Sequence, residues 1–531
     1  MSFLNQFKRA ALLLACAGFN ASAVPVDTSA VAAMTSSSAL APGWQQGAFI
    51  EIFVRGYQDS DGDGIGDLRG LTQRLDYLKE LGVKGIWLMP ITASADHDHG
   101  YATTDFRAIE PAYGSLADLD ELLKQAHARG IGVIIDYVIN HSAMEHPLFQ
   151  QSLQGKSNGY RDWFVWQDSK PKGWDIWGKD PWFTTTSGSY FGTFGAHMPD
   201  FNMLNPQVLD YHRSSLRFWL NRGLDGFRLD AVPHLVETDA VNWNDQAESR
   251  RLTKEFQDLI KSYPQRHVVC EATASPMIWA DPKVCGSAFA FGLQYELIKA
   301  ARGERKAIAK VADYFKTAPL TMATMLSSHD IFAGLRVWDQ LKGDVARYKL
   351  AAASYLLQPG TPYIYYGEEI GMAGVAGLEG DEPLRAPMSW TAEASGFTAG
   401  RPFRAMAPNA SAQNAQAQAS DPASILNFYK AMLKLRNSLP SIAQGSYEAA
   451  TAAGQTLSFQ RRFGAELSLV VINYADSAKS IKLAKLPGQA TLQPAYPEDA
   501  NSAKADRAGR ATLKLPARSV AVYRITAEQA K

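Results

Sequence analysis

Acidic, basic and imidazole side chains follow four short apolar segments, at the positions where a buried strand would end. These segments end in Asp136–His141, Gly226–Asp230, Val269–Glu271 and Ser327–Asp330. One acid at such a place is most often part of an ion pair or caps a helix. Several carboxylates, an arginine and two histidines together are costly to bury, so their convergence indicates a functional site.

A pair of carboxylates suits the cleavage of glycosidic bonds. One acid protonates the leaving oxygen while the other attacks the sugar, and a gap of about 5 Å between them gives retention of configuration. Arg228 precedes Asp230 by two residues, so both lie on one strand face and Arg228 favours the ionised carboxylate. Glu271, close to other negative charges and an apolar wall, is expected to have the raised pKa of a proton donor.

These segments recur in a regular alternation of strand and helix patterns. Such repeats predict an α/β fold with a parallel sheet, and eight strands fit a closed (β/α)8 barrel, although an open doubly wound sheet has the same local pattern. No glycine-rich phosphate loop follows a strand, which argues against a nucleotide-binding sheet. The predicted strands are Ala48–Phe53, Gly85–Pro90, Val133–Val138, Gly226–Val232, Val268–Thr273, Ala288–Leu293, Ala323–Ser328 and Tyr363–Tyr366.

Two regions break the alternation. Residues 142–205 are rich in Trp, Gly, Asp and Pro without clear periodicity, which predicts a loop-rich domain inserted after the third strand. From residue 441 short strand patterns follow one another without helices, which predicts a C-terminal antiparallel β-sandwich at 441–531. The barrel is then formed by residues 44–141 and 206–440.

The N-terminus has the pattern of a targeting segment. Lys8 and Arg9 precede an apolar run, and Ala21–Ala23 supplies a small-residue cleavage site, so residues 1–23 are predicted to be a signal peptide. Cys16 leaves a lipid-anchored form as an alternative. Residues 24–43 are rich in Ala, Ser and Thr and are expected to form a flexible lead. The protein is therefore expected in the periplasm or outside the cell.

Charge and cysteine content narrow the function further. Lys and Arg number 53 and Asp and Glu also number 53, so no basic excess favours nucleic acid or anionic lipid as a partner. No other segment is apolar over a length that crosses a membrane, so stable insertion is not expected. Cys270 and Cys285 either form a disulfide after export or remain buried thiols.

Taken together, the four motifs resemble the α-amylase family of glycoside hydrolases, from about Trp44 to the C-terminus. The segment Met198–Asn202 is similar to the form found between the oligo-1,6-glucosidase and neopullulanase branches. The resemblance implies a retaining mechanism with Asp230 as nucleophile, Glu271 as acid/base and Asp330 as third carboxylate. It also implies a sugar subsite that contains Tyr101, His141, Arg228 and His329. Ser328 departs from the family pattern, which usually has Asn there.

The segment Asp59–Asp67 alternates acids with glycines, an arrangement that gathers oxygen ligands around a cation such as Ca²⁺. Gly70 stands where an EF-hand needs its bidentate Glu, so this is not an EF-hand. The alternative is a solvated acidic turn. The resemblance implies a structural calcium loop with ligands from Asp59, Asp61, Asp63, the Ile65 carbonyl and Asp67.

Bond and chain-end specificity follow from fewer residues. Ala231, directly after Asp230, favours α-1,4 over α-1,6 bonds by comparison with branches of this family. Asp98 and Arg385 match residues that clamp the terminal sugar in exo-acting α-glucosidases, or form an ordinary surface ion pair. Export and the Met198 motif instead suit an endo-acting enzyme.

These features favour an α-amylase that hydrolyses α-1,4 bonds in starch-type glucans and maltooligosaccharides. The alternatives are an exo-acting α-glucosidase, an α-glucan transglycosylase or a trehalose-forming isomerase. A non-catalytic sugar-binding protein is a remote alternative, because both Asp230 and Glu271 are present.

Overall fold

The apolar segments predicted as strands pair in parallel at the centre of the molecule, in a computed structural model that describes residues 26–34, 37–96 and 98–526. Their side chains are buried on both faces, as expected for a parallel sheet covered by helices. In hydrogen-bonding order the sheet consists of His267–Cys270, Gly226–Leu229, Gly132–Tyr137, Gly85–Leu88, Phe49–Ile52, Thr361–Tyr365 and Ala323–Thr324.

The remaining strand of the barrel, sixth in chain order, is the short segment around Ala288 and Phe289. Ala288 bridges Cys270 in parallel, and Phe289 bridges Ala323, so this segment joins the two edges of the sheet. The predicted strand Ala288–Leu293 is therefore too long, because the chain turns at Gly292 (φ 96°) and a helix begins at Leu293. The predicted (β/α)8 barrel is confirmed, and the open doubly wound sheet is excluded.

Amphipathic helices surround the barrel and bury the apolar faces seen in the sequence. Leu71, Leu75, Leu78 and Leu81 are fully buried as predicted, although their helix is divided at Arg74. The helices outside the inserted domain are Leu68–Gln73, Leu75–Leu81, Leu116–Ala128, Pro206–Asn221, Ala247–Lys261, Pro276–Trp279, Leu293–Ala301, Arg305–Tyr314, Val337–Gln340, Val345–Leu356, Ala415–Ala419, Ile425–Ser438 and Pro440–Gln444.

The aperiodic segment after the third strand forms a small lobe above the barrel. It contains the helix Pro147–Ser152 and an antiparallel sheet of Trp166–Gln167, Gly188–Phe191 and Trp182–Thr185. An antiparallel bridge between His141 and Asp200 connects its two ends beside the barrel. The predicted inserted loop-rich region therefore lies at the carboxyl ends of the strands, where it can cover a site.

The C-terminal part is an antiparallel β-domain, as predicted. Its larger sheet has six strands and its smaller sheet pairs Lys479–Leu483 with Ala511–Leu515. Apolar side chains from both sheets, such as Leu469 and Leu513, form a separate core. In hydrogen-bonding order the larger sheet consists of Glu448–Ala453, Thr456–Phe463, Glu466–Asn473, Ser519–Thr526, Thr491–Tyr496 and Ala503–Lys504.

The segment predicted to be a flexible lead contacts the barrel where it is described. The Asn221 side chain donates a hydrogen bond to the Ala32 carbonyl at 2.9 Å and accepts one from the Met34 amide at 3.1 Å. Arg107 binds the Ser29 carbonyl at 3.0 Å. Residues 26–34 therefore follow the helix Pro206–Asn221 instead of standing free of the barrel.

The predicted signal peptide and Cys16 lie outside the described residues. Within the described part of the chain, the helices are all too short or too polar to cross a bilayer. Cys270 and Cys285 form a disulfide, which resolves the alternative left open by the sequence.

Candidate active site

Most of the predicted catalytic and sugar-binding residues line one cavity at the carboxyl ends of the barrel strands, whereas Arg228, His329 and Asp98 lie beside it. The cavity has a volume of about 600 Å³ and opens between the barrel and the inserted lobe. Asp230, Glu271 and Asp330 all line it, although they come from three different strand ends. The other lining residues are His99, Tyr101, His141, Trp177, Phe194, Met198, Ala231, Pro233, His234, Thr273, Phe332, Asp381 and Arg385.

Arg228 binds three acids at the base of this cavity. Its Nη1 lies 2.8 Å from Asp136 Oδ1 and also contacts Asp230 Oδ1, while Nη2 lies 3.0 Å from Glu271 Oε2. The guanidinium is almost completely buried. These contacts arise because the third, fourth and fifth strands are neighbours in register, so their ends bring these side chains to one level.

Burial governs the protonation of the three cavity acids. It raises the pKa of Asp230, which the guanidinium of Arg228 opposes. Burial likewise raises the pKa of Glu271, Arg228 opposes that rise, and the charge of Asp230 adds to it. The pKa of Asp330 is raised well above its ordinary value by burial and by the charge of Glu271. The site therefore favours a protonated Glu271 beside Asp230, the acid in closest contact with Arg228.

A second chain of hydrogen bonds continues from Asp136. The Tyr101 hydroxyl donates to Asp136 Oδ2 at 2.9 Å and lies 2.6 Å from His329 Nε2. The rings of Tyr101 and His329 are stacked with centroids 5.5 Å apart. On its other side His329 Nδ1 contacts Glu51 Oε1 at 2.5 Å. Tyr101 therefore lines the cavity with His329 stacked against it, and His329 also contacts Asp330.

His141 presents unused hydrogen-bonding groups beside the cavity. Neither of its ring nitrogens has a hydrogen bond of normal geometry to the described protein atoms. Burial lowers the pKa of His141 to about 3, so the ring is neutral at physiological pH. A neutral imidazole with a free donor and a free acceptor suits the hydroxyl groups of a sugar.

Asp98 and Arg385 belong to an ion cluster beside the cavity, which Arg385 lines and Asp98 does not. Arg385 Nη1 lies 3.8 Å from Asp98 Oδ2, and Nη2 lies 3.7 Å from Asp330 Oδ1 and 3.4 Å from Asp381 Oδ2. Arg404 Nη2 reaches Asp98 Oδ1 at 3.3 Å. Arg385 is buried, so the alternative of an ordinary surface ion pair does not hold.

Ser328, the departure from the family pattern, keeps a local hydrogen bond. Its Oγ accepts the Asp330 backbone amide at 3.3 Å, which restrains the turn that carries Asp330. The neighbouring Ser327 hydroxyl instead contacts Glu368 at 3.3 Å.

Several residues that line the cavity were not predicted from the sequence. Trp177 and Phe194 come from the inserted lobe, where no periodicity marked them, and both rings pack against His234. His234 could have been predicted, because it follows Asp230 by only four residues. Glu51, which lies outside the cavity and contacts His329, was also not predicted, although it is a lone acid within an otherwise apolar predicted strand.

The acidic loop after the first strand gathers three of the predicted calcium ligands. Carboxylate oxygens of Asp59, Asp61 and Asp67 lie within 4.8 Å of one another, whereas Asp63 is not part of this group. Burial raises the pKa of Asp59, but hydrogen bonds from Thr398 and from the amides of Gly62, Gly64 and Asp61 outweigh that effect and lower it. This set of hard oxygen donors fits a calcium ion.

Glycine is required within this loop. Gly64 has a φ of 93°, and a Cβ there would lie 2.0 Å from the Arg401 carbonyl oxygen. Only glycine combines that backbone conformation with so close an approach.

A parallel barrel with paired carboxylates at its strand ends is compatible with a glycosidase active site. Residues 51–445 match the family described as "Alpha amylase, catalytic domain". The chain therefore belongs to the α-amylase family, whose members are glycoside hydrolases and glycosyl-transferring enzymes, and it is an enzyme of this kind.

The relatives of this chain carry the names of different activities. The chain is 34% identical to Alpha-amylase 3 of Dictyoglomus thermophilum, over 77% of this chain and 80% of that protein. It is 33% identical to Trehalose synthase/amylase TreS of Mycolicibacterium smegmatis, over 76% and 78%.

Solved structures of related enzymes superpose on most of this chain. The alpha-glucosyl transfer enzyme XgtA superposes with a TM-score of 0.79 and 28% identity, over 91% of this chain and 99% of that chain. A variant of the trehalulose synthase MutB in complex with Tris gives 0.79 and 26%, over 92% and 100%.

Proposed function

We propose that the protein is a retaining α-amylase that hydrolyses α-1,4 bonds in starch-type glucans and maltooligosaccharides. The observation that carries the proposal is the contact of both Asp230 and Glu271 with Arg228 at the base of one cavity, with Asp330 on its wall. This arrangement supplies a nucleophile, a proton donor and a third carboxylate around one sugar unit.

Asp230 is the nucleophile. Its carboxylate attacks the anomeric carbon of the bound sugar, and the bond from that carbon to the leaving oxygen breaks. Glu271 gives its proton to that oxygen, so the leaving sugar departs as a neutral alcohol. The Ala231 amide donates to Glu271 Oε2 at 3.0 Å and holds the carboxyl in place beside Asp230.

Water completes the reaction. The ionised Glu271 removes a proton from a water molecule, the water oxygen attacks the anomeric carbon, and Asp230 leaves as a carboxylate. The two inversions give net retention. Asp330, His141 and Tyr101 hold the hydroxyl groups and the ring face of the same sugar, which places its anomeric carbon at Asp230.

An exo-acting α-glucosidase is the second candidate, and the ion cluster of Asp98, Arg385 and Arg404 favours it. The cluster adjoins the cavity at Arg385, and it favours exo action because it would block a longer glucan chain from continuing past the reacting sugar. A similar pocket would also suit glucosyl transfer, in which a sugar hydroxyl replaces water as the acceptor.

The time course of products from maltoheptaose tests the assignment. An α-amylase gives a ladder of fragments from the start, whereas an exo-acting enzyme gives glucose alone, and maltose converted to trehalose would indicate the isomerase. Glu271→Gln should reduce turnover by about 100-fold or more, while Glu121→Gln on an exposed helix face should not change it. Unchanged turnover in Glu271→Gln would defeat the assignment and favour a sugar-binding role.

We also propose that the acidic loop binds a structural Ca²⁺ through Asp59, Asp61 and Asp67, with Asp63 and the Ile65 carbonyl as further candidates. The loop joins the first strand to the helix Leu68–Gln73, where the Asp67 side chain also caps the helix by accepting from the Gly70 amide at 2.8 Å. A cation would relieve the repulsion among these carboxylates and lock this connection.

Calcium binding should raise the thermal midpoint of unfolding. An ion at 100 times its dissociation constant stabilises the folded state by about 2.7 kcal/mol. Removal of calcium by a chelator should lower the midpoint, and Asp61→Asn should lose most of this response. Asp168→Asn, which removes an exposed acid in the inserted lobe, is the matched control. An equal calcium response in Asp61→Asn would contradict the site.

Export to the periplasm or the cell exterior is proposed from the signal-peptide pattern of residues 1–23. The Cys270–Cys285 disulfide supports it, because disulfides persist mainly in oxidising compartments. Cell fractionation with detection of the mature N-terminus tests this, and a protein retained in the cytoplasm at full length would refute it.

A further inference from the structure

We propose that Glu51 is a positioning residue that keeps a hydrogen on His329 Nε2, directed at Tyr101 and Asp330. The inference deepens the proposed function and rests on it, because Tyr101 and Asp330 are there assigned to the reacting sugar. Glu51 itself does not line the cavity. It acts through the imidazole that separates it from the site.

Glu51 is a buried acid on the first barrel strand, Phe49–Ile52, and only 1% of it is exposed. A carboxyl group buried on a barrel strand loses its hydration, and specific hydrogen-bond partners must compensate for that loss. Its Oε1 contacts both His329 Nδ1 at 2.5 Å and the His329 backbone amide at 3.3 Å. His329 is equally buried, so this pair is enclosed by protein.

Counting hydrogens fixes the state of the imidazole when Asp136 is the ionised partner of Arg228. The Tyr101 hydroxyl has one hydrogen, which it donates to Asp136 Oδ2 at 2.9 Å. The contact of 2.6 Å between the Tyr101 oxygen and His329 Nε2 therefore needs a hydrogen on Nε2. The contact between Nδ1 and Glu51 needs a second hydrogen, which either of those two atoms can carry.

Burial decides where that second hydrogen resides. It raises the pKa of Glu51 and lowers the pKa of His329, so the proton belongs to the carboxyl group. Glu51 then donates to a bare Nδ1, and His329 is neutral with its hydrogen on Nε2. An ion pair with the proton on Nδ1 would leave the same hydrogen on Nε2.

The hydrogen on Nε2 faces two residues that line the cavity, Tyr101 and Asp330. Nε2 lies 3.2 Å from Asp330 Oδ2 as well as 2.6 Å from the Tyr101 oxygen. If the tautomer reversed, a lone pair on Nε2 would face the lone pairs of the Tyr101 oxygen, and also those of Asp330 when that acid is ionised, and would repel them. Asp330 and the Tyr101 ring would then move from their places beside the sugar, which would raise the free energy of the transition state.

Two substitutions at Glu51 test the inference. Glu51→Gln retains a side chain that can donate to Nδ1, whereas Glu51→Met has similar length and no hydrogen to donate. With maltotriose as substrate, Met is expected to lower kcat by about 100-fold while Gln stays within about threefold of the parent enzyme. Equal losses in both variants, or a Met variant with normal kcat, would overturn the proposal.

Stability measurements separate positioning from general damage. Glu369→Gln removes another fully buried acid, at the end of the eighth strand and outside the cavity, and is expected to leave kcat unchanged. The Met variant should unfold at a midpoint close to that of the parent enzyme, because it removes a buried carboxyl. If its kcat falls only in proportion to its folded fraction, a structural role replaces the proposed one.

Nitrogen-15 spectra of histidine-labelled protein read the tautomer without any assay of activity. The His329 signals, assigned from their loss in His329→Gln, should show a protonated Nε2 in the parent protein and a mixture of tautomers in Glu51→Met. A bare Nε2 in the parent protein would overturn the inference. A parent protein that shows the expected spectrum but cleaves no maltooligosaccharide would instead refute the proposed function alone.

Discussion

Single residues in this protein are strongly influenced by the low polarity of the barrel interior. Glu369 follows the eighth strand and is fully buried, with one oxygen bound by the Tyr77 hydroxyl at 2.9 Å. Its other oxygen has no hydrogen-bond partner among the described atoms. Burial raises the pKa of Glu369 to about 7, which makes this acid a source of pH-dependent stability.

Glu369→Gln should increase stability at alkaline pH. The unfolded chain loses this proton near pH 4.5 and the folded protein only near pH 7, so the acid favours unfolding progressively across that window. This rise in pKa corresponds to a destabilisation of about 3 kcal/mol above pH 7, which Glu369→Gln would remove. The unpaired amide group of the glutamine would itself cost about 1 kcal/mol. Urea unfolding should therefore give a gain of about 2 kcal/mol at pH 8 and no gain at pH 4. A gain of equal size at both pH values would contradict this explanation.

At the scale of elements, the barrel is weakest at its sixth position. Only two bridges, from Ala288 and Phe289, join the strands on either side. The disulfide between Cys270 and Cys285 lies beside these bridges, and Cys270 directly precedes the proposed acid Glu271. The covalent bond therefore supports both closure of the barrel and the strand end that carries the acid.

Replacing both cysteines with alanine should destabilise the protein. Loss of a disulfide that joins residues 15 positions apart costs about 3 kcal/mol of unfolding free energy. The urea midpoint of the double variant should fall, and the midpoint of the parent protein should fall similarly under reducing conditions. If the double variant and the oxidised parent unfold at the same midpoint, the disulfide does not support this part of the barrel.

At the scale of the whole molecule, the barrel and the C-terminal β-domain share a core. Leu457 and Phe459 of the β-domain belong to the same buried apolar cluster as the barrel helices. Arg461 crosses the boundary and donates to the Leu357 carbonyl at 3.2 Å, and the Tyr474 and Ser354 hydroxyls are 2.6 Å apart. The two parts are therefore expected to depend on each other for stability.

Scanning calorimetry should show one unfolding transition for the barrel and the β-domain together. Exposing the shared apolar surface by unfolding one part alone would cost about 25 cal/mol for each Å². Tyr474→Phe, which removes the buried hydroxyl, should shift this single transition downward without dividing it. Two separate transitions in the parent protein would show that the parts unfold independently.

Much of the site followed from the sequence because parallel strands bring their carboxyl ends to one edge. The order of Asp136, Arg228, Glu271 and Asp330 along apolar segments was enough to predict that they meet. The buried leucine face of Leu71 to Leu81 and the C-terminal strands followed from periodicity alone. These features are local, since each depends on the spacing of residues within one element.

Only the tertiary structure decided the remaining features, because they depend on residues far apart in the chain. Arg404 reaches Asp98, Trp177 packs on His234, and Glu51 contacts His329, which is 278 positions away. The bounds of the strand at Ala288 could not be predicted from the sequence either, because two bridging residues are too few to show a periodic pattern. The sequence by itself determined which acids could do chemistry, whereas the fold decided their partners, because burial and hydrogen-bond geometry exist only once distant segments pack together.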